Sequence, residues 1–147
     1  MKAKKFETII DAPAKKVWDV LWSDKTYRDW TSVFSEGSYA ESDWNEGSKI
    51  YFLTPEGDGM YSIIEKKIPN KLMVFKHLGV LKAKKEVPLD EESKKWTGAK
   101  EIYDLVEEGK KTILTASVDL MADFEAFFAE TFPKALERVK KLAEENN

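Results

Sequence analysis

DFEAFFAETFPKALERVKKLAEE, residues 123–145, decides the fold. Phe124, Phe127, Phe128, Phe132, Ala135, Leu136, Val139, Leu142 and Ala143 recur at spacings of three and four, so they share one face of an α-helix. Asp123 stands at the N-cap position, which predicts a helix from Phe124 to about Glu145. Pro133 lacks an N–H, and its ring crowds the carbonyl of Ala129. The apolar stripe nevertheless keeps its phase across Pro133, so a kink is expected rather than a break. At 1.5 Å per residue the helix would be ~33 Å long, enough to cross a whole sheet. Pro133 divides it into an aromatic front half, Phe124–Phe132, and an aliphatic back half, Ala135–Ala143. The back half is expected to anchor the helix to a sheet, and the front half to border any space left between them.

The rest of the chain supplies that sheet. Lys4–Ile10 alternates with period two, placing Phe6, Thr8 and Ile10 on one face. Pro13 suits a first helical position, and Ala14, Val17, Trp18 and Leu21 follow at i, i+3, i+4, i+7. Asp24 is placed to cap a second short helix carrying Tyr27 and Trp30. Six further strands are expected at Gly37–Glu41, Lys49–Thr54, Met60–Lys67, Leu72–Leu78, Lys100–Glu107 and Lys111–Leu120. Gly57-Asp58-Gly59, Pro69-Asn70 and Glu108-Gly109-Lys110 are hairpin-type connections between them. Only Val80–Thr97, charged and containing Pro88, lacks a period; it is expected to be a mobile flap or an ordered surface loop. The fold class is therefore α+β: seven antiparallel strands, two short helices after the first, and a long helix across a curved sheet.

Composition narrows the function. A chain of 147 residues with 42% hydrophobic and 35% charged residues is expected to form one domain, residues 1–147. Lys+Arg of 24 against Asp+Glu of 27 leaves a net charge of −3, with no electrostatic footprint for nucleic acid. With no cysteine, disulfides, thiolate nucleophiles and zinc–thiolate sites are excluded. The start of the chain lacks the apolar run of a signal peptide and no stretch approaches a membrane span, so a cytoplasmic protein without membrane insertion is expected.

Eight Phe, five Trp and five Tyr are a heavy aromatic load. Period two puts Phe52, Met60, Met73, Phe75, His77, Tyr103, Leu105 and Leu114 on the concave sheet face. Trp18 and Trp30 approach from the short helices, and Phe124, Phe127 and Phe128 from the long one. A sheet curved around one helix encloses more volume than one layer of side chains fills. These residues, Leu105 aside, are therefore candidates to bind a small hydrophobic or amphipathic molecule. His77, Tyr103 and Glu101 are the candidates for acid–base catalysis, the second reading. A metal site is not expected from one histidine, and no cofactor motif is present. The outward residues Tyr51, Leu53 and Ile63 are candidates for a protein-interaction face in a monomer or weak homodimer.

Specific motifs add a resemblance. Ile10-Asp11-Ala12-Pro13-Ala14-Lys15-Lys16-Val17-Trp18-Asp19-Val20-Leu21 resembles the opening common in the bacterial SRPBCC family, and Trp44-Asn45-Glu46-Gly47-Ser48 resembles its Trp-x-x-Gly turn. His77-Leu78-Gly79, Trp96-Thr97-Gly98-Ala99-Lys100-Glu101-Ile102-Tyr103 and Phe132-Pro133-Lys134-Ala135-Leu136 resemble the branch related to the C-terminal domain of the heat-shock chaperone ATPase activator. The resemblance to this START-like superfamily, which includes birch pollen allergen and polyketide cyclases, spans essentially the whole chain. It implies the helix-grip fold and a pocket. Its relatives include binders, carriers, cyclases and co-chaperone domains; no companion N-terminal domain of the chaperone activator is expected here, and a chaperone-associated protein-interaction module stands as a further alternative.

Overall fold

The computed structural model describes residues 1–145. β1 (Lys2–Ile10) is followed by α1 (Ala14–Trp22) and α2 (Asp24–Thr31), then by β2 (Tyr39–Glu41), β3 (Lys49–Leu53), β4 (Gly59–Ile68), β5 (Leu72–Lys82) and β6 (Lys85–Glu86). After α3 (Glu91–Lys94) come β7 (Lys100–Glu108), β8 (Lys111–Leu120) and α4 (Ala122–Glu144). The strands form one eight-stranded antiparallel sheet in the order β1-β8-β7-β5-β4-β3-β2, with β6 paired to β5. The helical pair carries the chain from one sheet edge, β1, to the other, β2. The sheet is curved but not closed. Two irregularities in β4 against β5, at Tyr61/Ser62 and Ile64/Lys66, bend it, because an extra residue on one strand increases local twist.

All seven expected strands form, and an eighth comes from the stretch without a period. Leu81 is fully buried, so β5 continues to Lys82 instead of stopping at Leu78. Ala83 and Lys84 then turn the chain with positive φ, and β6 pairs back on β5. Asp90 and Ser93 close a capping box on α3. Val80–Thr97 is therefore an ordered surface loop rather than a flap, its lysines riding on the exposed side of a hairpin.

Helix starts shift by a residue or two from expectation. Pro13 is the N-cap of α1 rather than its first residue, and Ser23, not Asp24, precedes α2. α4 begins at Ala122 with Met121 at the N-cap, which places Asp123 in the first turn, where its carboxylate meets the positive end of the helix dipole. α4 is assigned as one continuous helix through Pro133. It packs on β1, α1 and α2. Phe132 stacks on Phe6 with centroids 5.0 Å apart, and Arg138 Nε donates to Asp29 Oδ1 at 2.6 Å. Ala135, Leu136, Val139 and Ala143 are buried beneath. The aliphatic half anchors the helix.

One turn controls the far wall of the sheet. Gly59 has φ +156°, and a Cβ there would lie 1.8 Å from the Phe52 carbonyl oxygen. Only glycine lets β3 and β4 approach so closely. Leu53, expected to face outward, is 3% exposed, because both Phe52 and Leu53 turn inward beside this contact. Tyr51 and Ile63 are half-buried. No helix among the described residues is long and apolar enough to cross a membrane.

Candidate functional site

The last residue of α1, Trp22, stands at the centre of the aromatic cluster. Its ring meets Phe75 at 5.3 Å, Tyr103 at 5.0 Å, Trp44 at 5.8 Å and Trp30 at 6.4 Å, mostly edge to face. Edge-to-face contacts join the positive rim of one ring to the negative face of the next, but they leave wedges that flat stacking would close. Here they border a recess of about 220 Å³. Phe52, Met60 and Phe75 come from the sheet, Trp30 and Tyr27 from α2, Phe34 from the loop after it, and Phe128 and Phe132 from α4. Ten of the sixteen lining residues are aromatic, and Glu101 is the only charged one. A second recess of about 180 Å³ lies between Trp18, Trp22, Trp44, Lys67 and Met73.

Polar groups line up behind the aromatic wall. Ser62 and His77 are directly opposed on β4 and β5, with Ser62 Oγ 2.6 Å from His77 Nδ1. His77 Nε2 lies 3.3 Å from Glu101 Oε1, and the Tyr103 hydroxyl donates to Glu101 Oε2. A carboxylate only accepts, so a neutral His77 carries its hydrogen on Nε2 and Ser62 donates to Nδ1. The result is a continuous row, Ser62–His77–Glu101–Tyr103, in which Glu101 alone of the first three reaches the recess. Burial, and next the charge of Glu101, push the Tyr103 phenol well above its ordinary pKa. Tyr27 is pushed up by the same two causes in the same order. Both phenols are therefore neutral donors at physiological pH.

Trp30 Nε1 donates to the Leu21 carbonyl at 3.1 Å. Trp22 Nε1 is buried with no partner among the described residues. A buried donor left so costs about 1–3 kcal/mol. No group of three or more His, Asp or Glu side chains among them is arranged to hold a metal ion.

No family profile and no curated protein matches the chain in sequence. Solved structures do match. The Aha1 dimer from Colwellia psychrerythraea has a TM-score of 0.74 at 20% identity, covering 98% of this chain and 97% of that one. CalU16 from Micromonospora echinospora has a TM-score of 0.67 at 14% identity, covering 98% and 77%. DynU16, a protein of the dynemicin biosynthetic locus, has a TM-score of 0.72 at 11% identity, covering all (100%) of this chain and 49% of that one. The chain has the START-like, helix-grip fold.

Within that START-like frame the sequence candidates divide. Trp30, Phe52, Met60, Phe75, Tyr103 and Phe128 line the larger recess, as does the catalytic candidate Glu101. Trp18 and Met73 line the smaller one. His77 lies behind Glu101 with its ring 6.1 Å from Phe52, and Leu114 is core, paired with Thr8 and Leu105. Phe124 and Phe127 stand outside both recesses, 50% and 47% exposed. The ring contacts between α4 and the loop after α2 end at Phe34–Phe128, 5.8 Å apart, and the first turn of the helix projects past that loop. Sequence reading missed Trp22, Tyr27, Phe34 and Tyr39 as recess residues, while Phe132 belongs to the helix half expected to border the space. Trp22 is the instructive one: it follows Trp18 by four, so the stripe of α1 already aimed it at the sheet.

Proposed function

We propose that this protein binds a small hydrophobic or amphipathic molecule of one or two rings in the larger recess. The observation that carries this is the recess itself, about 220 Å³ with ten aromatic residues among sixteen and one carboxylate. Size decides the ligand class. A cavity of about 150 Å³ accepts benzene, and drug-sized ligands take roughly 300–1,000 Å³. A long acyl chain is too large for this space, and a bicyclic molecule fits. In titrations with 2-naphthol followed by tryptophan fluorescence and native mass spectrometry, one-to-one saturable binding is expected, with Kd of about 10–1,000 µM for so few atoms. Absence of saturation would sink the reading.

A second reading has its own observation, the His77–Glu101–Tyr103 row ending at the recess wall. Glu101 would act as general base on an α-proton, with His77 and Tyr103 stabilising its charge, as in a cyclase- or dehydratase-like reaction. In dehydration assays on small aryl β-hydroxyketones, Glu101→Gln is expected to lower the rate about 10²–10⁴-fold. A wild-type protein with no dehydration above buffer would leave binding alone. Oligomeric state belongs to the same proposal, a monomer or a weak homodimer; the Colwellia relative is a dimer. A chaperone-associated interaction role has less support, since Leu53 is buried and takes no part in an outward face.

A further inference from the structure

The larger recess has an electrostatic sign. Glu101 is the only charged residue in its lining. It stands on β7, an interior strand between β5 and β8, two residues before Tyr103 and so on the same face. Even there 24% of its side-chain surface stays accessible, and the recess is the space it lines. Every other ion pair among the described residues joins a carboxylate to a lysine or arginine, whereas Glu101 meets only His77, at 3.3 Å. A neutral imidazole donates one hydrogen there and leaves the negative charge uncancelled. The Tyr103 hydroxyl supplies a second hydrogen. A carboxylate offers about four acceptor positions, so about two remain. The charge is felt across the recess as well: it is a cause, after burial, of the raised pKa of Tyr27, which lines the helical wall. Aromatic residues make up most of the remaining lining, and ring faces attract cations within about 6 Å of their centroids.

We infer that the molecule bound in the larger recess is a cation, a protonated amine carried on one or two rings, with its ammonium group at the Glu101 carboxylate and its rings among Trp30, Phe52 and Phe75. This deepens the binding reading above and rests on it. The amine supplies the cation that the other paired carboxylates find in lysine or arginine, and its N–H groups fill acceptor positions that His77 and Tyr103 leave open. An anionic ligand is disfavoured in the same place by like charge.

The test uses three probes on one bicyclic skeleton: 2-naphthylmethylamine, 2-naphthalenemethanol and 2-naphthoate, which are positive, neutral and negative. Each is titrated by displacement of 2-naphthol at pH 8, above the ordinary imidazole pKa of about 6.5. The amine is expected to bind about tenfold more tightly than the alcohol, because a charge-assisted hydrogen bond is about twice as strong as a neutral one, and naphthoate more weakly than either. In Glu101→Gln, which keeps the shape and an acceptor for Tyr103, the amine-to-alcohol ratio should fall to about one. A wild-type alcohol affinity equal to that of the amine overturns the inference and leaves the binding reading intact. An amine preference that survives Glu101→Gln does the same. If none of the probes binds, 2-naphthol included, the binding reading falls and this inference with it. The wild-type ratio decides the charge preference even where the variant does not fold.

Discussion

As pH rises above about 10 the protein is expected to lose stability steeply and to unfold cooperatively. The cause is the pair of buried phenols. Tyr27 and Tyr103 have pKa values raised by burial and then by the charge of Glu101. In the unfolded chain each ionises near the ordinary value of about 10. Above that pH the unfolded state has released protons that the native state still holds, so stability falls as pH rises. The contribution is complete below pH ~10 and declines by about 1.4 kcal/mol per pH unit for each tyrosine. Two such groups act in the same direction, against a total of roughly 5–15 kcal/mol for a domain. Urea denaturation at stepped pH, with phenolate absorbance recorded in parallel, checks it. The absorbance of the two buried phenols should appear with the loss of circular dichroism, and Tyr27→Phe or Tyr103→Phe should each remove about half of the slope. Ionisation of both phenols with native dichroism intact would refute the account.

The architecture was legible because its signals are long and redundant. The stripe from Phe124 to Ala143 keeps a helical period through Pro133, and hairpin turns separate the strands at Asp58-Gly59, Asn70 and Gly109. What escaped was local. Val80–Thr97 has no period because Leu81 is one apolar residue among charges, and its burial depends on strands far away in sequence. Leu53 obeys alternation on paper, but the close approach of Gly59 to Phe52 turns two successive side chains inward. Phe124 and Phe127 carry the same periodicity as Phe128, and periodicity says which face a residue occupies, not how far the neighbouring elements extend along it. The candidate site was half legible for the same reason. Alternation allows His77, Glu101 and Tyr103 to project to one side of the sheet without showing that they meet; they form a bonded row with Ser62, which no motif announced. Trp22 needed the packing of α1 against β7 and β8 before its place beside Phe75 and Tyr103 could be seen.

Phe75→Ala is expected to cost about 3–5 kcal/mol, the range for deleting a fully buried phenylalanine ring. Phe75 has no exposed surface and lies on β5, which pairs with β4 on one side and β7 on the other. Its ring meets Phe52 at 5.2 Å, Trp22 at 5.3 Å and Tyr103 at 6.3 Å, all near edge to face. Such contacts add about 0.5–1.5 kcal/mol each beyond the area buried, so several are lost at once. Two effects then compete. Residual empty volume raises the penalty by about 24 cal/mol per Å³. Phe75 also borders the existing recess, so the space released is continuous with it and can be filled. The first effect wins without ligand, and the midpoint in urea should fall with an unchanged m-value. With 2-naphthol present the second effect should show: the probe raises the thermal midpoint of Phe75→Ala more than that of the wild type, because the enlarged recess buries more of the probe and the probe refills the space the ring left. A loss below about 1.5 kcal/mol, or equal probe effects on both proteins, would mean that this ring does not separate the core from the binding space.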